Sequence, residues 1–435
     1  MATKEKPAGL ADGVRLETIQ VTGYRSCRGT TFSPNDGLSA LIGINGAGKT
    51  NVLQGIRLLA KRGRPAGRGA DDELGAMAEL VASFRVHGEL IGLKVALGLQ
   101  EGARAGGGAD FVPMTEAWNL GSLVGGSKRW VQLPPIRLLR GGSAKFVDLG
   151  GDRRVYYDTS AALSYTTKNA QLDLSILQNK AVLAALVAID DFRSAISYYS
   201  ASQFTDPSRC PSGFEVDEQG RLVDTYNPYQ NTPHLRFLHD LYSLRKTDAP
   251  AYEAYQRFVS RAELGLISRF TWKAVELSTS TAVVSGSGKE VKKVKKKKSL
   301  IVPKVQIGTS HLTFNQLSEG TFKTLALAFY ITTNASKFLM VEEPEVCVHH
   351  GLLTRIVSTI KAHARRKQIV ISTHSDLLVD ELDPGQLFVV EMRSTGTVVS
   401  KLDSWLNKRD LSALHAYLAE SGTLGEYWRS GGLVQ

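Results

Sequence analysis

Cysteine is scarce in this chain: Cys27, Cys210 and Cys347 are the three among 435 residues. They are too few and too scattered for a disulfide scaffold or a cysteine-based zinc site, so a reducing, cytoplasmic setting is the expectation. Long hydrophobic runs are missing too. Nowhere do about eighteen apolar residues follow one another, and the lysine-bearing first residues have no apolar stretch behind them, which predicts neither a membrane span nor a secretory leader. No internal repeat is visible, and without a sustained heptad run in the central part there is no room for long coiled-coil arms. What is present, 43% apolar against 22% charged residues, excludes disorder as the dominant state and suffices for one large core or about two to three domains.

Acid is in deficit as well. The 53 basic and 42 acidic residues leave a formal charge of +11, a surplus compatible with nucleic acid as a partner. Over half of it sits between Lys289 and Lys298, where seven lysines face one acid, Glu290. Two readings stand side by side: a solvated hairpin tip whose like charges repel, and a track for a DNA or RNA phosphate backbone.

Hydrophobic periodicity organises the rest. Residues 14–21 alternate like a strand, residues 38–42 read as a buried strand, and residues 49–60 repeat at helical spacing. Two strand-like runs flank Gly88 and Glu89. Residues 172–189 look helical, residues 195–199 strand-like, and residues 234–265 helical again. Residues 269–284 and 300–314 then predict strands on either side of the lysine-rich tip. The last third is clearer: helix over 321–332, buried strand over 338–341, helix over 352–360, buried strand over 368–372. That order is a β-α-β unit, whose two strands belong in one parallel sheet.

The segment Gly43-Ile44-Asn45-Gly46-Ala47-Gly48-Lys49-Thr50 satisfies the phosphate-loop pattern between a strand and a helix. Its glycines let successive backbone N–H groups and the helix N-terminus turn toward an anion. Lys49 then reaches the β- and γ-phosphates and Thr50 ligates magnesium. At 338–344, four apolar residues end in Glu342, Glu343 and Pro344, the form of a Walker B strand. Acids at the carboxyl end of such a strand meet the phosphate loop in an open α/β sheet. Glu342 would hold the magnesium shell and Glu343 would polarise the attacking water. The usual first acid is aspartate, so Glu342 departs from it by one methylene.

Leu317-Ser318-Glu319-Gly320-Thr321 precedes a helix, and Ser372-Thr373-His374-Ser375 follows the second buried strand. With these motifs the sequence resembles the ABC-type ATPase superfamily, nearer its RecF, SMC and OLD branch than transporters, and most of all the bacterial AAA_21 and OLD-like ATPases. The resemblance implies an α/β fold: a P-loop core with a mixed, mainly parallel sheet flanked by helices, an antiparallel β-subdomain and an inserted helical lobe. It divides the chain into core halves at 1–60 and 311–402, a β-rich subdomain at 61–160, the lobe with its β insertion at 161–310 and a helical tail at 403–435.

The resemblance also implies ATP and Mg2+ as cofactors. Asn45, Gly46, Ala47, Gly48, Lys49, Thr50 and Asn51 of one subunit hold the nucleotide, while Ser318 and Gly320 of another cap its γ-phosphate. Thr50, Glu342 and Gln203 serve the metal; Glu343, His374 and Lys49 serve catalysis. Plainer readings accompany several of these: Ser318 as an ordinary helix cap, His374 as a local hydrogen-bonding residue, Gln203 as a surface amide, and His349 with His350 as surface residues. Gly23-Tyr24-Arg25-Ser26 resembles a family element in which Arg25 approaches the nucleotide; a simple turn is the alternative. Leu424-Gly425-Glu426-Tyr427-Trp428 resembles the ends of AAA_21 proteins.

The 61 residues after His374 hold no obvious cluster of metal-binding acids, so this chain is not expected to be a nuclease itself. The implied function is an ATP hydrolase that forms ATP-sandwiched dimers or higher oligomers. It would regulate a separate effector, a nuclease, in antiphage defence of the Septu, PARIS or retron kind. A RecF-like or SMC-like DNA-binding ATPase of repair or chromosome maintenance is the first alternative. A nucleotide-locked scaffold with little turnover is the second.

Overall fold

Alternation along β1 (Arg15–Tyr24) and β2 (Cys27–Phe32) makes a hairpin with one buried face, whereas all five residues of β3 (Leu38–Ile42) are buried. A continuous apolar run of this kind belongs inside a parallel sheet covered on both faces. The computed structural model describes residues 13–61, 78–86, 89–100, 110–124, 127–132, 137–141, 144–148, 154–157, 180–223, 232–260, 262–284, 291–333, 336–348, 350–420 and 422–432. After β3 come α1 (Lys49–Arg57), the hairpin β4 (Ala78–Val86) and β5 (Glu89–Gln100), then β6 (Asp110–Val124) and β7 (Ser127–Gln132). Strands β8 (Arg137–Gly141), β9 (Ala144–Asp148) and β10 (Arg154–Tyr157) precede α2 (Lys180–Ser194) and β11 (Ile196–Ser200).

The middle of the chain holds β12 (Phe214–Val216), α3 (Pro233–Thr247), α4 (Ala249–Val259), β13 (Arg269–Val284), β14 (Val291–Ile307) and β15 (Ser310–Thr313). The last third runs α5 (Glu319–Thr332), β16 (Phe338–Glu342), α6 (His350–His363), β17 (Gln368–Ser372) and α7 (Asp376–Asp380). It closes with β18 (Leu387–Arg393), β19 (Gly396–Lys401), α8 (Leu402–Trp405), α9 (Lys408–Ala419) and α10 (Leu424–Arg429).

Two compact units emerge, one made of Met1–Tyr198, Ala335–Glu342 and Ile360–Gln435, the other of Tyr199–Asn334 and Glu343–Thr359. The first contains a six-stranded sheet in the order β11-β16-β17-β3-β18-β19. β16, β17, β3 and β18 are parallel neighbours, and β19 turns back antiparallel to β18. A second, antiparallel sheet has the order β2-β1-β4-β5-β6-β7, and β10-β9-β8 form a third. Val52, Leu53 and Ile56 of α1 share one core with Ile19 and Val21 of β1, Phe84 of β4, Phe192 of α2 and Phe338 and Met340 of β16. The fold is therefore α/β with a mixed, mainly parallel P-loop sheet and an antiparallel β-sheet beside it.

The second unit contains α3, α4, α5 and a four-stranded sheet in which β14 pairs β12, β13 and β15. Helix α5 is apolar around most of its circumference and is buried accordingly, ringed by aromatics. Phe322 and Phe329 on α5 meet Phe314 and Tyr255 at ring-centroid distances of 6.1 and 5.4 Å. The phenols of Tyr199 and Tyr255 donate to the α5 carbonyls of Lys323 and Leu325 at 2.8 and 2.9 Å.

One expectation is corrected here. The lysine run is not a hairpin tip: from Lys292 to Lys298 it lies inside β14, in unbroken register with β13, Val283 opposite Lys292 and Leu277 opposite Lys298. β13 supplies an uncharged partner over this stretch, Leu277-Ser278-Thr279-Ser280-Thr281-Ala282-Val283-Val284, half of it β-branched, which favours a strand there. Lys289 and Glu290 lie outside the described residues. The helix expected over 172–189 is found as α2 from Lys180; residues 172–179 also lie outside them.

Candidate nucleotide-binding site

Three strands of the parallel sheet end together. Leu41 of β3 is in register with Ser372 of β17, and Ser372 with Glu342 of β16. The loop of residues 43–50, the segment from Thr373 to Ser375 and the Glu342 carboxylate therefore leave one sheet edge, the carboxyl edge where open α/β sheets bind ligands.

Two glycines of the loop stand where a Cβ has no room. Gly43 has φ 151°, and a Cβ there would stand 2.4 Å from the Val390 carbonyl oxygen. Gly48, with φ 101°, is the N-cap of α1, and a Cβ there would stand 2.2 Å from Thr397 Oγ1. Lys49 is buried, its Nζ donating to the carbonyls of Gly43 at 2.7 Å and Ile44 at 3.2 Å. The lysine thus holds the loop curled around itself, with Ala47 buried inside and Ile44, Asn45 and Gly46 exposed at the rim.

Past the loop, the Thr50 hydroxyl donates to Glu342 Oε1. The Tyr198 phenol, on β11, donates to the other oxygen, Oε2. Arg57 on the last turn of α1 places its guanidinium 5.2 Å from the centroid of the Tyr198 ring, a cation–π distance. A hydroxyl and a carboxylate side by side are hard oxygen donors, the set that takes magnesium together with substrate phosphates rather than a metal caged by protein alone. Among the described residues, no group of three or more His, Cys, Asp or Glu side chains gathers. The residues present fit the expected cation.

Asn51 turns away from the loop. Its amide donates to Ser26 Oγ at 2.7 Å and accepts from Arg25 at 3.3 Å. Ser26 and Thr397 share a hydroxyl hydrogen bond of 2.7 Å, and Thr397 N–H donates to the Ser26 carbonyl at 2.8 Å. Arg25 is exposed and has a φ of 51°, a left-handed turn beside the first turn of α1. His374 is exposed at the same edge, between buried Thr373 and Ser375, which caps α7 by accepting from Leu378 N–H at 3.3 Å.

The remaining candidates belong to the second unit. Glu343 adopts φ 48°, and its carbonyl accepts from Val346 N–H at 3.1 Å across the short turn Pro344–Cys347. Ser318 caps α5, accepting from Thr321 N–H at 3.3 Å, and is exposed together with Glu319 and Gly320. A Cβ on Gly320 would meet nothing within 4 Å, so its backbone stands open at the helix N-terminus. Lys323, 2.5 Å away, and the Asp206 N–H hold the Glu319 carboxyl below the usual carboxylate range, with Lys323 the larger cause. Gln203 sits half-buried on the 3-10 turn Ala201–Phe204. His350 opens α6, and His349 lies outside the described residues.

Residues 304–380 match a family model. It is AAA_21, described as "AAA domain, putative AbiEii toxin, Type IV TA system". The match takes in the signature-like segment, both glutamates and His374. The DNA replication and repair protein RecF of Chlorobium phaeovibrioides (strain DSM 265 / 1930) is 43% identical over 47 residues, 11% of this chain and 13% of that protein. The chain thus aligns with about an eighth of that curated relative. Similar solved structures include the SMC head domain from Thermotoga maritima, at 14% identity and a TM-score of 0.39 over 89% of this chain and 98% of that one. The SmcHead bound to the C-winged helix domain of ScpA follows at 12% identity and a TM-score of 0.43, over 90% and 99%. Likenesses that distant carry no argument about this site.

Within the first unit, then, the structure gathers residues 43–50, Glu342 and the His374 segment on one edge. It adds Tyr198, Ser26 and Thr397, which sequence reasoning did not assign. The signal for Tyr198 is its place on a strand directly before Gln203, in a Tyr-Tyr-Ser-Ala-Ser-Gln segment. Its partner Glu342 is 144 residues away, so only the pairing of β11 with β16 reveals the contact.

Among the described residues, no helix is long and apolar enough to cross a membrane.

Proposed function

We propose that this chain is a magnesium-dependent ATP hydrolase of the ABC type. The observation that carries the reading is the Thr50–Glu342 contact at the strand edge from which the phosphate loop leaves. Backbone N–H groups of residues 45–49 and the N-terminus of α1 bind the triphosphate, with Lys49 exchanging loop carbonyls for β- and γ-oxygens. Thr50 and Glu342 would hold Mg2+, with Gln203 a further candidate ligand, and the ion would supply charge neutralisation on the phosphate oxygens. Glu343 takes the proton from the attacking water, so that ATP and water become ADP and inorganic phosphate, and His374 contacts the γ-phosphate.

Two exposed half-sites support a shared site. Ser318 and Gly320 of a second copy cap the γ-phosphate of the first with a hydroxyl and an open N–H at the start of α5. ATP then glues two copies, and hydrolysis releases them. Lys49→Ala is expected to abolish ATP binding. Glu343→Gln is expected to bind ATP normally but hydrolyse it at least about 100-fold more slowly. Wild-type affinity in the first variant overturns the reading; undiminished turnover in the second overturns the assigned base.

What the cycle drives has two readings, each with its own support. The lysine-rich ribbon and the segment shared with RecF favour a DNA-binding ATPase. The AAA_21 match, whose description names a putative toxin, favours control of a separately encoded effector, a nuclease, in antiphage defence. Mass measurement of the chain co-expressed with its genomic neighbours, with and without ATP, separates them. A stoichiometric nuclease subunit supports the second reading, and ATP-dependent DNA retention without a protein partner supports the first. Cys27 and Cys210 are buried free thiols, which fits a cytoplasmic location.

A further inference from the structure

Glutamate at position 342 poses a mechanical problem that aspartate would not. The metal-holding acid of a phosphate-loop enzyme is ordinarily an aspartate. Glu342 places its carboxylate one methylene farther from the β16 backbone, on one more freely rotating bond, and a floppy ligand binds an ion less well than a fixed one. The carboxylate is nevertheless fixed at both oxygens, because Thr50 occupies Oε1 and the Tyr198 phenol occupies Oε2. Tyr198 is itself anchored: its backbone belongs to β11, the neighbour of β16 in the sheet, and its ring lies 5.2 Å from the Arg57 guanidinium. A tyrosine has only two side-chain torsions, so it can act as a rigid strut.

We propose that Tyr198 is a positioning residue that fixes the longer Glu342 carboxylate so that, with Thr50, it can hold Mg2+. The proposal rests on the reading that residues 43–50 bind Mg-ATP. Tyr198 contributes through Glu342, by donating its phenolic hydrogen to Oε2 and leaving Oε1 turned to Thr50. Aspartate at 342 would retract the carboxylate by about one carbon–carbon bond, roughly 1.5 Å, beyond hydrogen-bond reach of the phenol. Glutamate and Tyr198 are thus a matched pair.

The test is a double-substitution cycle read by equilibrium binding of a fluorescent, non-hydrolysable ATP analogue at increasing Mg2+. In the Glu342 background, Tyr198→Phe is expected to raise the Mg2+ concentration for half-maximal tightening about tenfold, the loss expected for one hydrogen bond to a charged group. Its affinity in EDTA should match that of the unsubstituted protein. In a Glu342→Asp background, Tyr198→Phe should change the Mg2+ requirement less than about twofold. Thermal unfolding in EDTA checks that Tyr198→Phe folds, and Tyr198→Leu provides a second variant lacking the phenol. An unmoved or lowered Mg2+ requirement in Tyr198→Phe overturns the proposal, as does full additivity of the two substitutions. If the unsubstituted protein shows no Mg2+-dependent binding at all, the nucleotide reading itself fails. Mg2+-dependent binding that ignores Tyr198 removes this inference alone.

Discussion

Gly48 shows how little freedom single residues have at this edge. Its φ of 101° is disfavoured for any L side chain, and the space a Cβ would take is filled by Thr397, itself tied to Ser26. Gly48→Ala is therefore expected to lower unfolding free energy by about 1–3 kcal/mol and to weaken ATP binding, because the strain falls on the N-terminus of α1. Urea unfolding and equilibrium nucleotide binding on the same preparation check both; an alanine variant with unchanged midpoint and affinity contradicts the steric account. Gly48, Lys49 and Thr50 were legible in the sequence because phosphate-loop chemistry depends on contiguous residues. Thr397, Ser26 and Tyr198 were not. Ser26 and Thr397 are 371 positions apart, and no local pattern announces a hydroxyl pair across such a distance.

Elements were legible where one physical signal dominated. β3, β16 and β17 are short, mostly apolar runs buried at all five positions, and α5, expected from residue 321, starts at Glu319 behind its cap Ser318. β14 was legible only from residue 300 on, because six lysines hide its first half, whose evidence lies in its partner β13. The turn between α6 and β17 carries a further consequence. Lys367 there is buried, its Nζ 3.4 Å from Ser336 Oγ, and burial pushes its ammonium down to about 8. Below pH 8 the lysine is charged in both folded and unfolded chains, and the folded state bears the desolvation. Between about 8 and 10.5 the folded chain has lost the proton that the unfolded chain keeps, so this group makes stability rise with pH. The gain is on the order of 3 kcal/mol across that window. Lys367→Met is expected to be more stable at pH 7 and to lack this rise; denaturant midpoints at pH 7.5 and 9.5 decide, and an identical slope in both proteins contradicts it.

At the scale of the whole molecule the charge surplus has an address. Residues 277–284 and 291–298 form a ribbon that, among the described residues, has no third strand, since β12 pairs only with residues 299–301 and β15 with residues 304–307. The major groove of B-form DNA admits such a ribbon. Side chains on one face of an antiparallel strand recur about every 6.8 Å, roughly the spacing of every second phosphate along one DNA strand. Only three of the six lysines from Lys292 to Lys298 share a face, so if each of the three neutralises a phosphate, log affinity for duplex DNA should fall against log salt with a slope of about −3. Threonine in place of all six, chosen to keep strand propensity, should flatten that slope; equal slopes would remove the ribbon from DNA binding.

The central sheet also sets when the molecule can begin to work. β3 and α1 are made early, yet β3 has its two sheet neighbours only when β17 and β18 exist, and Glu342 comes nearly 300 positions after Thr50. At about 5–20 residues per second, a ribosome needs roughly 15–60 s to pass from the loop to the strands that complete it. For that interval the nascent chain carries an unfinished sheet edge, open to chaperones and to other strands. If residues 43–50 bind nucleotide as proposed, nucleotide would stabilise only chains whose synthesis has reached β16.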